Sequence, residues 1–210
     1  MVQASPTLAG EQREVARQRI LRAAGAALAA RGLASTVDDV AAAAGVSRRT
    51  VFRHFATRDA LFVEVIRAGV RRYAEQLPAP PAGGDLRAWL AELLAVTHRL
   101  NARNGRVFWD LVGVAAEDLS PDLAVAAAEC RDSRNRFAAT VTEFLWHASG
   151  GPAAPPTWLT DAVAVQLSGF TTQSLAGDRG RSPDQVASVS AQVIAAALTA
   201  ALASPAAAPE

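Results

Sequence analysis

Residues 36–55 read TVDDVAAAAGVSRRTVFRHF, and the spacing within this stretch decides the fold. Thr36 is a natural N-cap, with Asp39 three residues on in a capping-box arrangement. Val37, Val40, Ala41 and Ala44 then recur on one helical face. Gly45 supplies the positive φ that ends this helix in a tight turn. Ser47 caps a second, short helix from Arg48 to about His54. A small residue at Ala41 lets the two helices cross closely, and Val51 plugs their shared core, so the pair reads as a helix-turn-helix. With Val51 turned inward, Arg48, Arg49, Thr50, Arg53 and His54 point out. Arginine can read guanine through two donors or pair with phosphate, threonine can meet a base edge or a thymine methyl, and histidine can meet a phosphate. The same arginines also suit a solvated face, and Phe52 suits either a contact or a core position.

Working outward, a helix from about Glu11 to Arg31 carries Ile20, Ala24, Ala27 and Leu28 on one stripe, with Gly32 as its stop. Thr57 caps a further helix through Leu61, Phe62, Val65 and Ile66 that ends before Pro78. The Pro and Gly cluster at 78–84 marks a boundary. Beyond it the pattern predicts helices from Asp85 toward Asn104, from Arg106 toward Ala116, from Pro121 to Ala148, from Thr157 to Ala176 and from Pro183 to Ala203. Ser120 before Pro121 and Ser182 before Pro183 are strong starts. The class is all-α with about nine helices. The organisation expected is an arm at 1–10, a helix-turn-helix domain at 11–56, a connecting helix at 57–77, a helical effector-binding and dimerisation domain at 78–204, and a tail at 205–210.

Charge is distributed unevenly. The net charge is +1, and all 21 basic residues are arginine. Residues 1–72 hold twelve arginines against six acids, and the rest of the chain nine against fourteen. A basic first third implies a polyanionic partner there. Without lysine there is neither a phosphate-loop lysine nor a Schiff base. The three histidines and the single Cys130 show no metal-ligand spacing, and no nucleophile elbow is present, so no catalytic residue, metal or cofactor is expected. A lone cysteine and no apolar leader point to the cytoplasm. Residues 186–209 are uncharged and long enough to span a bilayer. Their alanines, with Ser188, Ser190, Gln192 and Thr199, fit a helix buried against a partner better.

The run from Gly45 to Phe55 closely matches the signature of the TetR family of regulators, which Ile20 to Ile66 resembles in its N-terminal domain. The resemblance implies a homodimer that binds a palindromic double-stranded DNA operator and is released from it by a small-molecule effector, in most cases as a repressor. It implies DNA contacts by the positions of Thr50, Phe52 and His54. Thr36, Ser47, Arg48, Arg49 and Arg53 complete the expected contact set. Phenylalanine at 52, where the family usually has tyrosine, removes one phosphate hydrogen bond.

The resemblance also implies an effector pocket in the later helices, and the residues are compatible with one. Trp89, Phe108, Trp109 and Val112 are candidate walls, as are Phe137, Val141, Phe144 and Phe170, with Gln166 as a polar contact. Aromatics at helical spacing serve equally as core. An apolar or aromatic effector follows from the lack of charge there. Two alternatives remain, a regulator without an effector and a helical enzyme. The helices at 157–176 and 183–203 are expected to form the dimer interface, and a charge at Ile194 to dissociate it.

Overall fold

The computed structural model describes the backbone of residues 8–113 and 116–203, and the side chains of 10–104 and 117–203. Among the described residues there are nine α-helices and no strand: α1 (Leu8–Arg31), α2 (Val37–Ala44), α3 (Arg48–His54), α4 (Arg58–Glu75), α5 (Leu86–Gly113), α6 (Pro121–Ala148), α7 (Thr157–Leu167), α8 (Gly169–Gln173) and α9 (Pro183–Ala203). They divide into two compact units, Met1–Arg71 with Arg106–Ala127, and Arg72–Gly105 with Ala128–Glu210.

Helix starts follow local chemistry. The Asp85 carboxylate accepts from the amides of Arg87 and Ala88 at 2.9 and 3.1 Å, opening α5. Ser182 accepts from the Gln185 amide at 3.2 Å while its own amide donates to the Gln185 side chain at 3.0 Å, a closed capping box before α9. α1 already includes Leu8–Gly10, ahead of the start expected at about Glu11.

Two boundaries differ from the sequence expectation. The helices expected at 85–104 and 106–116 are one helix, α5. Asn104 does not interrupt it, since its amide donates back to the Leu100 carbonyl at 3.0 Å. Conversely, the helix expected at 157–176 breaks at Ser168, whose ψ of 153° is extended. There the Ser168 and Thr171 hydroxyls both donate to the Val165 carbonyl at 2.6 Å, and Ser168 accepts from the Thr171 amide at 3.2 Å. Side-chain bonds of this kind offer the backbone an alternative to the helical ladder. The chain then runs through α8 into a wide π-turn at Ser174–Asp178.

The first unit is held by Ile20, Ala24 and Leu28 of α1, the apolar faces of α2 and α3, and Leu61, Phe62 and Ile66 of α4, all buried. The second has a core of Trp89, Leu90, Leu93, Leu94, Val141, Leu145, Val163, Leu167 and Ile194. A buried polar chain crosses that unit. The Tyr73 hydroxyl donates to Asn101 Oδ1 at 3.3 Å, and Asn101 Nδ2 donates to Thr172 Oγ1 at 3.2 Å and to the Leu167 carbonyl at 3.3 Å. His98 continues it, with Nδ1 2.8 Å from Thr172 Oγ1 and Nε2 3.1 Å from Ser190 Oγ. Burial pushes Tyr73 up to about 12, so its phenol stays protonated and remains a donor.

α9 is long and apolar enough to cross a bilayer by length and composition. Its Val186, Ala187, Ser190, Ile194 and Ala201 are nevertheless buried within the protein.

Candidate nucleic-acid interface

Each end of the helix pair is fixed by its own residues. Thr36 Oγ1 accepts from the Asp39 amide at 3.2 Å, and Asp39 accepts from the Thr36 amide at 2.9 Å. Arg31 pairs with the same carboxylate, and it is the Arg31 bond first, then those from Thr36, that holds Asp39 well below the usual carboxylate range. Gly45 closes α2 at φ 63°, and its amide and that of Val46 return to the Ala42 and Ala41 carbonyls. Arg19 reaches across from α1 to donate to the Ala44 carbonyl at 2.7 Å.

Gly45→Ala would place an L side chain in the left-handed region and bring its Cβ to 2.9 Å from Arg19 Nη2. The guanidinium can move, so the backbone term dominates. We expect a loss of about 1–2 kcal/mol in urea unfolding, and an unchanged midpoint would show that the turn does not need its glycine.

On α3, Val51 is 1% exposed and Phe55, just beyond its end, 5%. This anchored side orients the opposite one. Arg49 and Arg53 are exposed and make no side-chain bond among the described residues. Arg48 is less free, because Nη1 donates to Asp38 at 2.7 Å and its guanidinium lies 5.4 Å from the centre of the Phe52 ring, which is 39% exposed. Ser47 and Thr50 share a hydroxyl bond of 2.9 Å, and Ser47 caps the helix by accepting from the Thr50 amide at 3.1 Å. Thr36 is exposed but engaged in its cap.

His54 sits half-buried with Nε2 unpartnered. Burial lowers its pKa first, and Arg53, Arg13 and Arg17 lower it further. Arg13 and Arg17 therefore belong to the same basic surface, although the motif alone does not reveal them. Their signal lay in α1, where the buried stripe of Ile20, Ala24 and Leu28 continues N-terminally through positions 17 and 13. Arg17 pairs with Glu64 and stacks over Phe55 at 5.3 Å. The face can pair with phosphates and present unpaired guanidinium donors to base edges.

The candidate effector residues lie elsewhere. Trp89 and Val141 are buried core, Phe137 and Phe144 pack half-buried against that core, and Trp89 meets Phe144 edge-on at 4.8 Å. Trp89 Nε1 donates to the Pro78 carbonyl at 3.2 Å. Gln166 is half-buried, and Phe170 is 61% exposed. The side chains of Phe108, Trp109 and Val112 lie outside the described residues. Ile194 is 0% exposed and packs into its own subunit's core, so a charge there would strike that core directly and does not isolate an effect on an interface.

Residues 20–65 match the family described as bacterial regulatory proteins, tetR family. No curated protein matches the chain. Among solved structures, a tetR-family transcriptional regulator from Streptomyces coelicolor is similar at TM-score 0.69 and 22% identity, over 89% of this chain and 81% of that one. A transcriptional regulator from Rhodococcus sp. Rha1 gives TM-score 0.67 and 23% identity, over 90% of this chain and 99% of that one. A TetR-like regulator from Rhodococcus sp. RHA1 gives 0.68 and 19%, over 88% and 96%. The helix-turn-helix of 36–55 thus lies within the segment that matches the tetR family's domain, and the chain around it has an all-helical fold shared with these solved regulators.

Proposed function

We propose that this protein is a TetR-type transcriptional regulator that acts in the cytoplasm as a homodimer. It holds an inverted-repeat operator with one α3 from each subunit in a major groove, the half-site centres roughly 34–36 Å apart. Binding represses transcription, and a small molecule with an apolar or aromatic body, taken up by the helical module, releases the operator by favouring the conformer that holds DNA less well. The observation that carries this reading is the two-sided α3. Val51 locks one side into the core, and Arg49 and Arg53 stand unpaired on the other.

Arg49, in the first turn, is assigned to a base edge and Arg53, near the end, to a phosphate. Arg49→Ala is expected to cost about 1–3 kcal/mol per half-site and to relax preference at one base pair. Arg53→Ala is expected to weaken operator and scrambled duplex alike and to make the salt slope shallower. Affinities for both duplexes at two salt concentrations check this. If neither substitution changes either affinity, α3 is not the reading head.

For the dimer, α7 and α9 offer the surface. They pack on one another, and they leave Trp158, Val165, Val189 and Val193 between 40% and 53% exposed. Apolar side chains this large, left open on neighbouring helices, fit an interface between copies.

A further inference from the structure

A groove of about 440 Å³ runs along the second unit, lined by Gln76, Val96, Arg99, Leu100, Arg103 and Pro183, with Ala102 beside them. Its volume falls in the range of small-molecule sites. Val96, Leu100 and Pro183 give it apolar walls, and Leu100 is only 5% exposed. Two guanidinium groups stand over those walls from successive turns of α5. Arg99 donates to Asp184 at 2.8 Å, at the start of α9. Arg103 is exposed and makes no bond among the described residues.

This pairing of apolar wall and cationic rim is distinctive against its surroundings, since the chain beyond residue 72 carries fourteen acids to nine arginines. We infer that the groove binds a small organic monoanion, a carboxylate joined to an apolar or aromatic body. The carboxylate takes the fork of Arg103 and competes with Asp184 for Arg99, while the body covers Val96, Leu100 and Pro183. An arginine fork holds a carboxylate through two parallel bonds, which explains the preference for an acid over an alcohol of the same shape. Displacing Asp184 frees the first turn of α9 from α5. The inference rests on reading the helical module as a sensor, and it adds the charge of the molecule sensed and its place.

The test uses the full-length protein and 2-naphthoate, with 2-naphthol as the neutral analogue and acetate as the anion without a body. Fluorescence titration is expected to give saturable binding of naphthoate, at least tenfold tighter than naphthol, with acetate not competing at equal concentration. Arg103→Gln is expected to weaken naphthoate at least tenfold and leave naphthol unchanged, Arg103→Lys to recover part of the loss, and Asp184→Asn to tighten binding. Operator affinity without ligand is measured on each sample as the check on folding. The charge comparison on the unsubstituted protein stands even if a variant misfolds. Absent saturation, equal affinity for naphthol, or an unchanged affinity in a folded Arg103→Gln each overturns the site. An intact operator affinity beside such a result leaves the regulator reading standing, whereas loss of operator binding by the unsubstituted protein sinks that reading instead.

Discussion

Val193→Glu is expected to convert the protein to a monomer and to lower operator affinity by about a thousandfold or more, toward the level of non-specific binding. Val193 is 40% exposed and Val189, one turn earlier on α9, is 41% exposed. In a two-fold interface every substitution appears twice, so one change introduces two carboxylates into an apolar contact. Each must give up its water without a partner, at a cost of several kcal/mol. On the proposed reading, a monomer then presents one α3 where an inverted repeat offers two half-sites. Ile194 is the internal control, because it faces the core and its substitution by glutamate should lower thermal stability even at concentrations where the subunits are separate, whereas Val193→Glu should lower it only by the lost subunit contact. Sedimentation at micromolar concentration, circular dichroism and operator binding decide the matter together. A dimer that survives both Val193→Glu and Val165→Arg would place the interface elsewhere.

The second large effect belongs to His98. Its side chain is fully buried, and both ring nitrogens meet hydroxyls, of Thr172 on α8 and Ser190 on α9. Hydroxyls can donate or accept, so a neutral ring is satisfied in either tautomer. His98→Ala leaves both hydroxyls without the ring and opens a cavity, and is expected to cost about 3–5 kcal/mol at pH 7.

Acid should act on the same group. Burial lowers the pKa of His98 to about 4, with no carboxylate bonded to it to oppose the shift. In the unfolded chain it titrates near 6.5. Above pH 6.5 both states are neutral and nothing is lost. Below it the unfolded chain takes up a proton that the folded one refuses, and the stability is lost progressively down to about pH 4. Between pH 7 and 4.5 this amounts to about 2–3 kcal/mol. His98→Gln, which cannot titrate, should lose that part of the slope in urea unfolding at the two pH values. An unchanged slope would show that other groups carry it.

The helix-turn-helix was legible because its information is local. The capping box at Thr36 and Asp39, the left-handed Gly45 and the Ser47 cap each act within four residues, and all form as their side chains dictate. The second unit was less legible because its determinants are tertiary. Asn104 and Gly105 look like a stop, but Asn104 bonds to its own helix and α5 continues. Ser168 and Gly169 look helical, but three side-chain bonds there turn the chain aside. Ile194 and Val193 are adjacent and equally apolar, and only the rotation of α9 about its axis puts one inside and the other out. The groove draws on Gln76, α5 and Pro183, whose distance in sequence hides their meeting. Arg13 and Arg17 sit outside the motif altogether.

The wide turn at Ser174–Asp178 has a consequence for length variation. A π-turn accommodates one residue more than an α-turn, so a single-residue deletion within 174–178 can be absorbed by tightening the coil. The same deletion inside α7 would rotate everything beyond it by about 100°, and whichever of Leu159, Val163 and Leu167 lay past the cut would swing away from the core they fill. Single-residue deletions in this half of the protein should therefore be tolerated at the π-turn, where the chain carries spare length, and excluded from the helices on either side.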